Sequence, residues 1–208
     1  MLQNLFNKYN CDKSSKHKYH LIYERDFEKL RNEPINILEI GIFKGDSIKA
    51  WLDYFPNATI FGIDLFTRIG PEDIDILNHP RVKWLQGDST KIEIKEKIMH
   101  AWPGISFDII IDDGLHTPYA NRETFNNIFP MCKKNGFYYI EDIWPLDIMS
   151  LIQMQHPWLH RDNHTYTLLE WNKFIKTIEK YVVNRYDNRE LSGQPDSYII
   201  KVSQKNKR

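Results

Sequence analysis

The chain has 208 residues, 41% of them hydrophobic, enough to bury one substantial core and few for two, so a single domain over 1–208 is expected. Lys+Arg and Asp+Glu balance at 28 each, which removes the broad electrostatic field that draws proteins to nucleic acid or to a membrane surface. No stretch approaches the roughly 20 apolar residues of a spanning helix, and Cys11 and Cys132 follow neither a metal-ligand spacing nor a disulfide framework. These features predict a soluble, cytoplasmic protein with no nucleic-acid or membrane partner.

In chain order, residues 17–31 carry Tyr19, Ile22, Tyr23, Phe27 and Leu30 near the helical period, which predicts a helix in an N-terminal cap over 1–33. A sheet domain over 34–208 follows, in which short apolar runs at Ile35–Ile40, Thr59–Asp64, Val82–Gln86, Phe107–Ile111 and Phe137–Ile140 read as buried strands. Helices are expected between them at Asp46–Tyr54, Lys91–Ala101 and Tyr119–Lys134, the last stopped by Asn135-Gly136. The alternation predicts an α/β fold: a Rossmann-like, doubly wound, mostly parallel sheet that binds ligands at its carboxyl edge. The runs Tyr181–Tyr186 and Ser197–Val202 predict a closing antiparallel hairpin with no helix between them. A partly helical insertion near the ligand face is expected at about 144–167; its His156, His160 and His164 are spaced by four, as a second metal site on one helical face would be, but Pro157 and Arg161-Asp162-Asn163 oppose a continuous helix, so a substrate-facing loop is expected for them.

The first strand runs into Glu39-Ile40-Gly41-Ile42-Phe43-Lys44-Gly45-Asp46-Ser47, a glycine turn opening a helix. Phe43 stands where a dinucleotide fingerprint needs its middle glycine, which disfavours a pyrophosphate. Glu39 is suited instead to an ammonium group. Asp64 ends the second strand, where a carboxylate can accept both hydroxyls of a ribose, and Asp88 follows the third. Any one of these acids serves equally well as a helix cap or turn acid, but together they mark successive strand ends.

Two acidic pairs leave the next strands, Asp112-Asp113 in Asp-Asp-Gly-Leu-His116 and Glu141-Asp142 in Ile-Glu-Asp. Neighbouring strands lie about 4.8 Å apart, so these carboxylates can converge on one hard cation, whereas burying them together without one is costly.

The acids at 39, 64 and 88 resemble the positions that contact methionine, ribose and adenine in class I S-adenosylmethionine-dependent methyltransferases, over about residues 35 to 142. The Asp-Asp-Gly-x-His and Ile-Glu-Asp motifs resemble the Mg²⁺-dependent macrolide-sugar O-methyltransferases and the related cephalosporin-hydroxylase-like family. Asp12-Lys13 followed by His20, Tyr23 and Glu24 resembles the segment that precedes the sheet there. The resemblance implies Mg²⁺ or another divalent cation on Asp113, Glu141 and Asp142, and His116 as the catalytic base. It implies S-adenosylmethionine at Glu39, Gly41, Gly45, Ser47, Asp64, Asp88 and Asp112, with polar contacts from Lys13, His20 and Tyr23. The implied reaction is O-methylation of a vicinal diol in a sugar of a glycoside, nucleotide-sugar or polysaccharide, and a homo-oligomer is compatible with it. A catechol-type methyltransferase, an oxidoreductase and a non-catalytic cofactor-binding scaffold stand as alternatives. Ile143-Trp144-Pro145-Leu146 departs from the small polar residues expected after the acidic pair, which leaves the acceptor open.

Overall fold

Side chains of successive residues in the central strands point to opposite faces, and both faces are apolar, as a covered parallel sheet requires. A computed structural model describes residues 1–160 and 166–205. The strands are β1 (Asn36–Ile40), β2 (Thr59–Asp64), β3 (Val82–Gln86), β4 (Phe107–Asp112), β5 (Cys132–Ile140), β6 (Val182–Asp187) and β7 (Tyr198–Ser203). They form one sheet in the order β3-β2-β1-β4-β5-β7-β6, parallel throughout except for β7, which runs against both β5 and β6. Ile37, Ile60, Ile109, Ile111 and Tyr139 pack on one face, and Leu38, Phe61, Ile63, Ile110 and Tyr138 on the other.

The first face is covered by α1 (Leu2–Lys8), α2 (Asp12–Ser15), α3 (His20–Phe27) and α4 (Asp46–Tyr54). The expected leader helix over 17–31 is broken, because Lys18 takes φ 61 and separates α2 from α3, just as Asn10 at φ 56 separates α1 from α2. An aromatic cluster glues this layer to the sheet: Trp51 meets the rings of Phe6 at 5.1 Å and Tyr23 at 5.5 Å, and Phe27 meets Tyr139 at 5.5 Å. Each such buried ring contributes on the order of 1.5–3 kcal/mol. Arg81, between α4 and β3, closes the other end of α4 by donating to the carbonyls of Leu52, Phe55 and Ala58 at 2.8–3.1 Å.

The opposite face carries α5 (Glu93–Ala101), α6 (Pro118–Ile128) and α8 (Leu168–Ile178), with the short α7 (Leu151–Met154) before α8. Thr117 caps α6 by accepting from the Ala120 amide at 3.1 Å, with Pro118 in the first turn. The helix ends well before the expected Lys134, since Pro130 cannot continue it. Asn135-Gly136 is therefore not a helix stop but lies inside β5, where the β4–β5 register shifts; a side chain at Gly136 would meet the carbonyls of Phe107 and Asp108. The insertion is partly helical, and its residues 161–165, including His164, lie outside the described residues. The strands of the closing hairpin pair antiparallel as expected, but the connection contains the short helix α9 (Arg189–Ser192). Among the described residues, no helix is long and apolar enough to cross a membrane.

Candidate functional site

The carboxyl ends of β1 to β5 border a cavity of about 1000 Å³, large enough for a nucleoside-sized ligand and a second molecule. Its wall includes Gly41 and Phe43 after β1, Asp64 at the end of β2, Asp88 after β3, Asp113 and His116 after β4, and Asp142 after β5. Phe43, His116 and Asp142 have φ of 50, 58 and 52. Such backbone costs about 1–3 kcal/mol for a residue with a side chain and persists only where its surroundings impose it. At His116 one constraint is visible, because the Tyr166 hydroxyl donates to its carbonyl at 2.9 Å.

The turn after β1 is built by the acid at the end of β2. Asp64 Oδ2 accepts the Ile42 and Phe43 amides at 2.7 and 3.1 Å, and Oδ1 accepts the Phe66 amide at 2.6 Å. Asp64 thus lines the cavity while holding the turn in shape. Asp88 also reaches the cavity, with Oδ1 folded back onto the amide and hydroxyl of Thr90 at 2.9 and 2.6 Å. Gly41 has φ +90, and a Cβ there would collide with the Asp113 carbonyl, so this glycine permits the turn and the end of β4 to touch.

Several residues expected on the cofactor lie behind the cavity wall. Glu39 is fully buried, accepts from the Ser47 hydroxyl at 2.8 Å and the Trp51 indole at 3.2 Å, and has Lys13 Nζ at 3.4 Å. The ammonium it faces is the chain's own. Burial raises the Glu39 carboxyl, with Lys13 opposing. Gly45 caps α4 and admits Ile74 and Ile76 against its backbone. Asp112 accepts from the buried Tyr138 hydroxyl at 3.2 Å, and burial pushes its carboxyl up to about 7. His20 is buried, which lowers its imidazole, and does not border the cavity. Lys13 and Tyr23 bind acids: the Tyr23 hydroxyl donates to Glu141 Oε1, and Lys13 Nζ lies 2.5 Å from both Glu141 Oε2 and Asp113 Oδ2.

Glu141, expected on a cation, thus has both oxygens engaged and is 1% exposed behind the wall. The other two expected cation ligands do meet. Asp113, His116 and Asp142 each offer a ligand atom within 4.8 Å of the others, with His116 Nε2 3.5 Å from Asp113 Oδ1 and 4.0 Å from Asp142 Oδ2. Burial, then the nearby Asp113, raises the Asp142 carboxyl against the pull of His116. Burial would also raise Asp113, but Lys13 and His116 outweigh it and hold that carboxyl below the usual range. Lys13 stays protonated, because Asp113, Glu141 and Glu39 overcome its burial; Glu141 is raised by burial and by its acidic neighbours. Acids outnumber cations in this cluster, a charge imbalance that favours an added positive group. An aligned divalent cation fits such a donor set.

The sequence reading missed His17, Tyr19 and Asp196. The Tyr19 hydroxyl donates to Asp142 Oδ1 at 2.9 Å, and His17 Nδ1 sits 3.4 Å from the same oxygen and 2.8 Å from Ser197 Oγ. Asp196 joins them from the loop before β7. His17 and Tyr19 sit beside the leader motif already singled out and were legible there, whereas nothing local marks Asp196. Of the insertion's histidines, His156 borders the cavity against Trp144, while His160 bonds the Met154 carbonyl.

Sheet order, the antiparallel β7 and the glycine turn after β1 are those of the class I S-adenosylmethionine-dependent methyltransferase fold. The MycE methyltransferase of the mycinamycin biosynthetic pathway, solved in complex with Mg and S-adenosylhomocysteine, superposes with a TM-score of 0.70 at 24% identity over 97% of this chain and 54% of that one. Aeropyrum pernix fibrillarin with natively bound S-adenosyl-L-methionine gives 0.58 at 15% identity, over 82% and 67%. In sequence, the chain is similar to curated O-methyltransferases. The 8-demethyl-8-(2-methoxy-alpha-L-rhamnosyl)-tetracenomycin-C 3'-O-methyltransferase of Streptomyces olivaceus is 35% identical over 135 residues, 62% of this chain and 33% of the relative. Demethylmacrocin O-methyltransferase of Streptomyces fradiae is 31% identical over 151 residues, 69% and 36%. The chain therefore spans about a third of the length of these curated relatives. No protein-family model matches it.

Proposed function

We propose that the chain is an S-adenosylmethionine- and divalent-cation-dependent O-methyltransferase acting on one hydroxyl of a vicinal diol in a sugar. The observation that carries this reading is the convergence of Asp113, His116 and Asp142 on one point of the cavity wall beside the glycine turn. The donor set fits a hard divalent cation, with Asp113 Oδ1 and Asp142 Oδ2 as its holders. The cofactor fits the part of the cavity between Gly41, Asp64 and Asp88, where a side chain at Gly41 would close the approach to the end of β4.

Bound S-adenosylmethionine supplies an electrophilic methyl group, and the bound cation a Lewis acid that acidifies and orients the acceptor hydroxyls. His116 Nε2, with its side chain 23% exposed at the wall, accepts the proton of the hydroxyl to be methylated. The Tyr166 bond to the His116 carbonyl keeps the ring aimed into the cavity. The acceptor lies on the side walled by Trp144, His156, Trp158 and Tyr166, whose aromatic faces suit the apolar face of a pyranose ring. The relatives named for rhamnosyl-tetracenomycin and olivosyl-oleandolide support a glycosidic acceptor. Cys11 and Cys132 are free and buried, which supports a reducing, cytoplasmic setting.

Titration of S-adenosylhomocysteine by calorimetry, with Mg²⁺ and then with EDTA, tests the reading against an NAD control. Saturable binding of S-adenosylhomocysteine without NAD binding is the expected result. Binding of neither nucleotide would refute it, and binding of NAD alone would shift the assignment to an oxidoreductase.

A further inference from the structure

The two carboxylates that face His116 are each divided between two environments. Asp113 Oδ2 is 2.5 Å from the Lys13 ammonium, and Asp142 Oδ1 accepts from the Tyr19 hydroxyl at 2.9 Å. The remaining oxygens, Asp113 Oδ1 and Asp142 Oδ2, are those nearest His116 Nε2. Both partners come from the N-terminal helical layer, and the Lys13 side chain is only 2% exposed. Lys13 also pairs with Glu141 and Glu39, so one internal cation serves the acids behind the wall and leaves Asp113 and Asp142 as the acidic pair on the cavity. Tyr19 is bound twice at the same residue, since its hydroxyl also accepts from the Asp142 amide at 3.1 Å and so grips the positive-φ backbone as well as the carboxylate.

We propose that Lys13 and Tyr19 are positioning residues that select which oxygens of Asp113 and Asp142 a divalent cation meets. The N-terminal layer thereby sets cation affinity without touching the ion. A carboxylate at a strand end rotates freely unless one oxygen is held, and rotation would scatter the donor geometry that a hard cation needs. Lys13 also spans the acids behind the wall, with its ammonium 2.5 Å from Glu141 and 3.4 Å from Glu39, so one fixed group holds Asp113 against them. The inference rests on the cation-dependent reading above.

The test measures Mn²⁺ affinity directly, by the electron paramagnetic resonance signal of free Mn²⁺, in the wild type, Tyr19→Phe and Lys13→Met. Lost outer partners of metal ligands typically weaken affinity by about 10- to 100-fold, and a loss in this range is expected for both variants. Affinity for S-adenosylhomocysteine in EDTA should stay within about twofold, since neither residue borders the cavity. Lys13→Met removes a buried charge and is checked for folding by circular dichroism; Tyr19→Phe removes one oxygen atom and carries the test if the lysine variant does not fold. Wild-type Mn²⁺ affinity in a folded Tyr19→Phe would overturn the proposal while leaving the cation reading intact. Absence of Mn²⁺ binding in the wild type would overturn both.

Discussion

Replacing Gly41 by alanine isolates the contact on which the site is built. Gly41 has φ +90, and a Cβ there runs into the backbone carbonyl of Asp113, which cannot rotate away as a side chain would. Two costs combine. The positive φ alone costs a residue with a Cβ roughly 1–2 kcal/mol. Relieving the collision means moving the end of β1 from the end of β4, which strains the Asp113 amide to Ile40 carbonyl bond and the Gly41 amide to Ile63 carbonyl bond, both 2.9 Å. Each such bond is worth about 1 kcal/mol. Alanine's smaller unfolded-state entropy returns only about 0.4–1 kcal/mol, so a net loss of roughly 3 kcal/mol is expected, about 6–12 °C in Tm for a domain of this size. Gly104 provides the control: its φ is +70, but an added Cβ meets nothing within 4 Å. Gly104→Ala should therefore lose only about 1 kcal/mol. Urea unfolding followed by far-ultraviolet circular dichroism compares the two, and Gly41→Ala should also weaken S-adenosylhomocysteine binding while Gly104→Ala should not. Equal losses of stability in the two variants would refute the contact argument.

Burial alone would raise the Asp26 carboxyl, but Arg25, Lys201 and Tyr139, each bonded to it at 2.8 Å, hold it below the usual range. A depressed folded value makes its contribution present above the ordinary carboxylate range near pH 4 and lost as pH falls through the folded value. Asp26→Asn should cost about 1.5–3 kcal/mol at pH 7, with a gap to wild type that narrows below about pH 4 in urea titrations. Arg81→Lys cannot reach the carbonyls of Leu52, Phe55 and Ala58 together, and a loss of about 1–2 kcal/mol in chemical unfolding is expected. His116→Ala should lower kcat by about 10²- to 10⁴-fold with unchanged S-adenosylhomocysteine affinity by calorimetry; lost cofactor affinity would make His116 structural instead. On the proposed function, EDTA should abolish methyl transfer to a sugar acceptor and leave the far-ultraviolet spectrum unchanged.

The sheet was legible because its signal is local. Apolar runs such as Phe107–Ile111 are buried on both faces whatever packs there, and Gly41 and Asp64 mark strand-end turns by residue type, even though their partners, the Asp113 carbonyl and the Ile42 and Phe43 amides, come from other strand ends. Boundaries failed where a neighbour decided them: Asn135-Gly136 has the composition of a helix stop, yet the close approach of β4 makes it part of a strand. The set of acids was legible too, since strand ends in a parallel sheet must converge. Which acids face the ligand was not, because Glu39, Asp113, Glu141 and Asp142 are chemically alike in sequence. The tertiary structure sorted them by bringing Lys13, Tyr19 and Tyr23, a hundred or more residues away from Asp113, Asp142 and Glu141, against their rear faces. Sequence thus determined the fold and the charge of its carboxyl edge, both consequences of local periodicity. The division between buried support and cavity wall was decided only by packing, because a carboxylate's partner depends on what the folded chain places beside it.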